Sequence, residues 1–179
     1  MSGHDLDLAH EVAVLRARVE RLEAREACIS TFNEYLHHLD GDRLEELLQV
    51  FAPDAELNVM NFPPGSGKNL HFKGRDEIRP LYEAHHAGIG RHHSANITVN
   101  VEGDEAELSA YFITSGAYAF GGGLYQLELR AYPGKWLIQR MYICSTWGWR
   151  IPHDEPPYLA EHLGAGALRG GRPVVYRLS

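Results

Sequence analysis

Asp40 and His92 are the residues whose type and setting best suit chemistry. Asp40 closes an amphipathic run, Phe32 to Asp40, that breaks at Gly41-Asp42. His92 opens an alternating segment that runs through His93, Ser94, Ala95, Asn96, Ile97, Thr98 and Val99. A carboxylate that orients and charges an imidazole makes a general base near neutral pH, because histidine already titrates there. If the fold brings the two together, the chemistry is proton abstraction. Asp40 has a plainer reading as a helix cap, but Asp42, next to Arg43-Leu44-Glu45-Glu46, is the better cap and leaves Asp40 to point inward. His92 and His93 point to opposite faces of a strand, so only one of them can face a cavity.

Tyr35 lies five residues before Asp40, a little over one helical turn, so its phenol can point roughly the same way. Two readings stand for it: a hydrogen-bond donor to a substrate oxygen, or a core residue with its hydroxyl at the edge.

The elements that must position these groups follow from periodicity. Leu8, Val12, Leu15, Val19 and Leu22 follow a 4-3-4-3 spacing that makes one apolar stripe on a helix, with Arg and Glu filling the other faces. It resembles a short coiled-coil seam that Glu26 interrupts, and it suits either packing on the chain's own domain or a dimer contact. Ile29, Phe32, Leu36 and Leu39 form a second stripe, and Leu44, Leu47, Leu48 and Phe51 a third. Residues 55–60 alternate as a strand, 61–69 form a loop, and a helix is expected from Arg75 to about Ala87. From His92 the period is two, in segments 92–102, 105–119, 123–132 and 135–149. Glu102-Gly103-Asp104, Gly121-Gly122-Gly123 and Pro133-Gly134 read as the turns between antiparallel strands. Helices first and a long meander afterwards imply an α+β domain. The Pro- and Gly-rich residues 151–179 read as an extension, with one helical turn expected at 158–163.

The 179 residues favour one domain, and 44% apolar residues supply an ordinary core. A net charge of −7 argues against nucleic acid as a partner. No apolar run reaches the roughly 18 residues of a membrane span, and the polar, acidic start is unlike a signal peptide. Two cysteines, Cys28 and Cys144, read as thiols of a cytoplasmic protein. The eleven histidines show no HExxH or Cys-rich spacing, so no metal site is expected.

Three phrases carry a family resemblance: Phe51-Ala52-Pro53-Asp54-Ala55, Phe72-Lys73-Gly74-Arg75-Asp76-Glu77-Ile78 and Gly134-Lys135-Trp136-Leu137-Ile138. With a helical hairpin ending in Asp and His-His-x-x-Asn opening the meander, the chain resembles the SnoaL-like branch of the nuclear transport factor 2-like superfamily. The resemblance implies a cone-shaped α+β barrel, with helices packed on one curved, mostly antiparallel sheet. It implies three parts: an N-terminal amphipathic helix (1–27), the SnoaL-like cone (28–150) and a C-terminal extension (151–179). In the family's lyases (scytalone dehydratase, bile-acid 7α-dehydratase, hexachlorocyclohexane dehydrochlorinase) an Asp at the helical turn holds a His at the start of the meander. Asp40 and His92 occupy those positions, Tyr35 that of a tyrosine near the Asp, and Asn96 keeps the dehydrochlorinase spacing.

The implied function is a cofactor-independent lyase of dehydratase type acting on a small hydrophobic, cyclic or polyketide-like molecule, in a homodimer or homotrimer. A polyketide cyclase or isomerase with the same base shares the first step, and a non-catalytic ligand-binding or assembly subunit is the rival from another class. Tyr111, Tyr125, Phe62 and Trp147 are candidates for the pocket lining. Arg140, within a strand, would need a partner or an anionic substrate group if it faced inward.

Overall fold

The fold is described from a computed structural model, for residues 3–62, 65–84, 90–116 and 119–150. The expectations for residues 85–87, for 117–118 within the segment 105–119 and for the C-terminal extension lie outside those residues.

Among the described residues, three helices and six strands follow one another as α1 (Gly3–Asp40), α2 (Leu44–Gln49), β1 (Phe51–Met60), β2 (Asn69–Lys73), α3 (Gly74–Glu83), β3 (Gly90–Glu102), β4 (Glu105–Gly116), β5 (Ala119–Tyr132) and β6 (Lys135–Arg150). The strands make one sheet in the order β2-β1-β6-β5-β4-β3. Among the described strands, only the β1–β6 pair is parallel. The sheet does not close on itself: β2 and β3 are its edges. The helices pack on one face of this mixed, mostly antiparallel sheet, so the expected α+β class holds.

Alternation sets the two faces. Ala106, Leu108, Ala110 and Phe112 of β4 stand in register with Leu129, Leu127, Tyr125 and Gly123 of β5. These point to the helices and, except for the glycine, join the buried core with Phe32, Tyr35, Phe51, Ile78 and Met141. The three family phrases interlock around this core. The Arg75 guanidinium donates from Nε to the Phe51 carbonyl at 3.0 Å, and the Ile138 N–H donates to the Val50 carbonyl at 2.9 Å.

Several expectations change. The first two apolar stripes lie on one continuous helix rather than two segments. The strand expected from residue 55 begins at Phe51, with Pro53 where the β1–β6 register shifts between Phe51 and Glu56. A proline is tolerated there because it need not donate to the ladder. Asp42 does not cap α2: Arg43 holds the cap position with no side-chain bond, and Asp42 sits in the left-handed region at φ 55°. Gly121-Gly122-Gly123 is not a turn either; β4 ends at Gly116 and all three glycines lie inside β5. Their smallness serves close approach of neighbouring strands. A Cβ on Gly123 would overlap the Cys144 carbonyl oxygen, and one on Gly122 would meet the Phe112 carbonyl at 2.7 Å.

Candidate active site

α1 delivers Asp40 as its last residue, directly before the tight turn at Gly41-Asp42. A carboxylate at the negative end of a helix dipole is unfavourable unless donors face it. β3 supplies two. Asp40 Oδ1 lies 2.7 Å from His92 Nδ1, and Asp40 Oδ2 accepts the His92 backbone N–H at 3.0 Å. Because a carboxylate only accepts, Nδ1 carries the proton and Nε2 is the basic nitrogen of the neutral ring. The two side chains are each only 11% exposed, so the pair is enclosed but not sealed.

A β-bulge decides which histidine faces inward. Val99 pairs with Leu108 on the helix side, and strict alternation from Val99 would turn His92 outward. The β3–β4 register shifts between Ala95 and Thr98, where Asn96 adopts φ 55°. The extra residue reverses the alternation, so His92 stands opposite Thr114 on the inner face and His93 opposite Ile113 on the outer one. Asn96 itself is exposed and shapes the strand.

Beneath the pair lies a cluster of tyrosines. Tyr35 is 1% exposed, and its hydroxyl lies 3.0 Å from that of Tyr82 on α3. Its ring meets Phe51, Tyr82 and Tyr125 edge to face. Tyr125 packs on Phe112 with ring centroids 4.5 Å apart. Burial, then Tyr82, pushes the Tyr35 phenol well above its ordinary range, and the Asp40 charge adds to it. Burial does the same to Tyr125, helped by Tyr35 and Asp40, and burial raises Tyr82 as well. These phenols therefore stay neutral and act as hydrogen-bond partners.

The sequence singled out four of the grouped residues: Asp40, His92, Tyr35 and Tyr125. Tyr82 was missed; its only signal is its place four residues after Ile78 on the buried stripe of α3. The structure sets the other candidates apart. Tyr111 is 59% exposed on the outer face of β4, and Trp147 meets the Phe120 ring edge to face on that same face, with ring centroids 5.2 Å apart. Phe62 is exposed between β1 and β2. Arg140 lies on the outer face, held by Glu56 at 3.3 Å and Glu128 at 2.7 Å, so it meets its need for a partner without any substrate.

A hollow of about 240 Å³ lies elsewhere, lined by outer-face side chains that include Asn100, Glu102, Glu105, Glu128 and Arg130, near the end of β3 remote from His92. It holds no imidazole or thiol, and its Arg130 is paired with Glu105 at 2.7 Å. Among the described residues, no three His, Cys, Asp or Glu side chains gather as a metal ion would require.

The SnoaL-like domain family matches residues 20–142, which span the end of α1, the site and most of the sheet. The chain belongs to that family. No curated protein sequence matches it. Solved structures share the fold of this SnoaL-like chain. A scytalone dehydratase-like protein from Novosphingobium aromaticivorans is 21% identical with TM-score 0.62, the match covering 78% of this chain and 95% of that one. A hexachlorocyclohexane dehydrochlorinase from Novosphingobium barchaimii is 19% identical with TM-score 0.64, covering 78% and 99%. An NTF2-like protein with a cystatin-like fold, also from N. aromaticivorans, is 26% identical with TM-score 0.61, covering 73% and 87%. Among the described residues, no helix is long and apolar enough to cross a membrane.

Proposed function

We propose that this SnoaL-like protein is a cofactor-independent lyase of dehydratase type, acting on a small hydrophobic molecule that is cyclic or polyketide-like. One observation carries the reading: both oxygens of an enclosed carboxylate are committed to one histidine, one to ring Nδ1 and one to its backbone N–H. That contact fixes ring orientation and tautomer together. The fold shared with dehydratase-like and dehydrochlorinase structures supports the same reading.

In the proposed reaction, His92 Nε2 takes a proton from the carbon beside a carbonyl, and Asp40 stabilises the imidazolium that results. The electron pair forms the carbon–carbon double bond as the neighbouring carbon–oxygen bond breaks. The imidazolium returns its proton to the departing hydroxyl, so water leaves and His92 ends neutral. The Tyr35 phenol, kept neutral by burial, suits hydrogen bonding to the developing oxyanion rather than proton transfer. Low surrounding polarity strengthens each of these interactions.

The test is a panel of β-hydroxy cyclic ketones incubated with the enzyme in deuterated water and followed by mass spectrometry. Loss of water that disappears in both His92→Gln and Asp40→Asn is the expected result. Deuterium uptake without loss of water would favour isomerase or cyclase chemistry at the same base. Turnover unchanged in both variants would sink the proposal.

A further inference from the structure

The N-terminal half of α1 is unused by the domain it leads into. Residues 8–23 are exposed on every side. Leu8, Val12, Leu15, Val19 and Leu22 are between 38% and 61% exposed, although they form one continuous stripe. Such a stripe left in water is a surface awaiting a partner. The helix runs unbroken to Asp40, so this half cannot fold back onto the domain. The buried second half already fixes the helix, and pairing therefore avoids the costly nucleation step.

We propose that residues 8–25 form a parallel, in-register, two-stranded coiled coil with the same residues of a second copy of this chain. The 4-3-4-3 spacing puts Leu8, Leu15 and Leu22 at d positions and Val12 and Val19 at a positions. A β-branched residue at a with leucine at d favours two strands. The flanking charges choose the orientation. Glu11 and Arg18 fall at g, Arg16 and Glu23 at e. In a parallel pair each g faces the following e across the seam. Glu11 then meets the partner's Arg16, and Arg18 meets the partner's Glu23. All such contacts are of opposite sign. The antiparallel alternative, with a packed on d, sets Arg16 against the partner's Arg16 and Arg18 against the partner's Arg18. Glu26 takes the next a position and ends the seam just before the buried residues begin at Cys28. Val14 lies at c, off the seam, and stays exposed.

The experiment uses the full chain. Light scattering on the wild type is expected to give the mass of two chains. Leu15→Glu/Val19→Glu is expected to give the mass of one chain at the same concentrations, with the tryptophan fluorescence and thermal transition of the folded body kept. Orientation is read from Val12→Cys under mild oxidation. A parallel pair brings the two new thiols together and yields a covalent dimer that the wild type does not form. In the antiparallel pair Val12 sits opposite Leu22 of the partner subunit, ten residues away or about 15 Å along the helix. That is beyond the roughly 7 Å Cα reach of a disulfide. A wild-type mass of one or three chains would overturn the proposal. So would a dimer that survives Leu15→Glu/Val19→Glu, which would place the interface elsewhere, for instance on the exposed outer-face aromatics Tyr111, Trp147 and Trp149. Failure of Val12→Cys to cross-link a wild-type-like dimer would overturn the parallel arrangement.

Discussion

Two contacts between acid and base, equal in length, lie on opposite faces of one sheet. Asp40 and His92 meet at 2.7 Å on the helix side, and Glu128 and Arg140 meet at 2.7 Å on the outer side. Their settings differ. The first pair is 11% exposed at both partners, while Arg140 and Glu128 are 35% and 47% exposed. Solvent screens the outer pair, so it adds little to stability. The inner pair interacts in lower effective dielectric and adds a second bond through the His92 backbone. Distance alone therefore identifies nothing. Enclosure, and the number of bonds spent on a single imidazole, mark the pair that can do work.

The sharpest way to break this contrast is Asp40→Asn. An amide can still accept from one donor, but it loses the charge that stabilises an imidazolium. Its NH2 group would also face one of the two N–H donors of His92. Turnover is expected to fall roughly 10²- to 10⁴-fold, the usual worth of a positioned acid–base group. Stability is expected to drop by about 1–3 kcal/mol, because an enclosed donor loses its partner. Steady-state kinetics and a denaturant titration measure both; activity within threefold of wild type would remove Asp40 from the mechanism.

Next in size is Asn96→Val. The bulge that turns His92 inward depends on a left-handed residue at φ 55°, which a β-branched side chain resists at a cost of roughly 1–2 kcal/mol. Lower stability and lower turnover are expected together, whereas Asn96→Gly should keep the bulge and most of the activity. If Asn96→Val left both unchanged, Asn96 would matter through its amide or not at all.

The tyrosines beneath the pair make a pH prediction. Their phenols are held neutral above the ordinary value of 10.0. A raised value in the folded state gives stability that is fully present below pH 10 and is lost as the pH climbs toward the folded value. Phenolate absorbance should therefore show most of the nine tyrosines titrating first. Tyr35, Tyr82 and Tyr125 should follow only with cooperative unfolding. Tyr82→Phe should leave Tyr35 without its hydroxyl partner and lower the pH at which unfolding begins.

How far these features could be read from sequence depends on the kind of signal. Asp40 and His92 were legible because the element boundaries at Gly41 and before the meander are strong, and because the family resemblance selects His92 where a strand only forces His92 and His93 apart. Alternation alone could not choose between them, since the choice rests on a bulge whose sequence trace is a single Asn. Tyr82 was invisible because a buried tyrosine four residues from Ile78 looks like any core position. The Gly121–Gly123 run misled because glycine marks both tight turns and close strand approach, and only the neighbouring Phe112 and Cys144 carbonyls tell the two apart. Tyr111, Trp147 and Arg140 needed the register of β4, β5 and β6, which sequence does not supply. α1 read as two segments because its apolar stripe shifts near residue 26, where the helix passes from exposed to buried.

The smallest expected effect closes the comparison from the outer face. Arg140→Gln removes the cation that Glu56 and Glu128 share, but both carboxylates are partly exposed and regain water. The loss in a denaturant titration should be small and shrink further in high salt, because screening already weakens the native pair. Turnover should not change, since Arg140 points away from His92 and meets its need for a partner within the sheet. The variant thus tests the face assignment itself. If Arg140→Gln cost as much activity as Asp40→Asn, the substrate would have to sit on the outer face. The enclosed pair would then be a structural tie between α1 and β3, holding the helix end to the sheet.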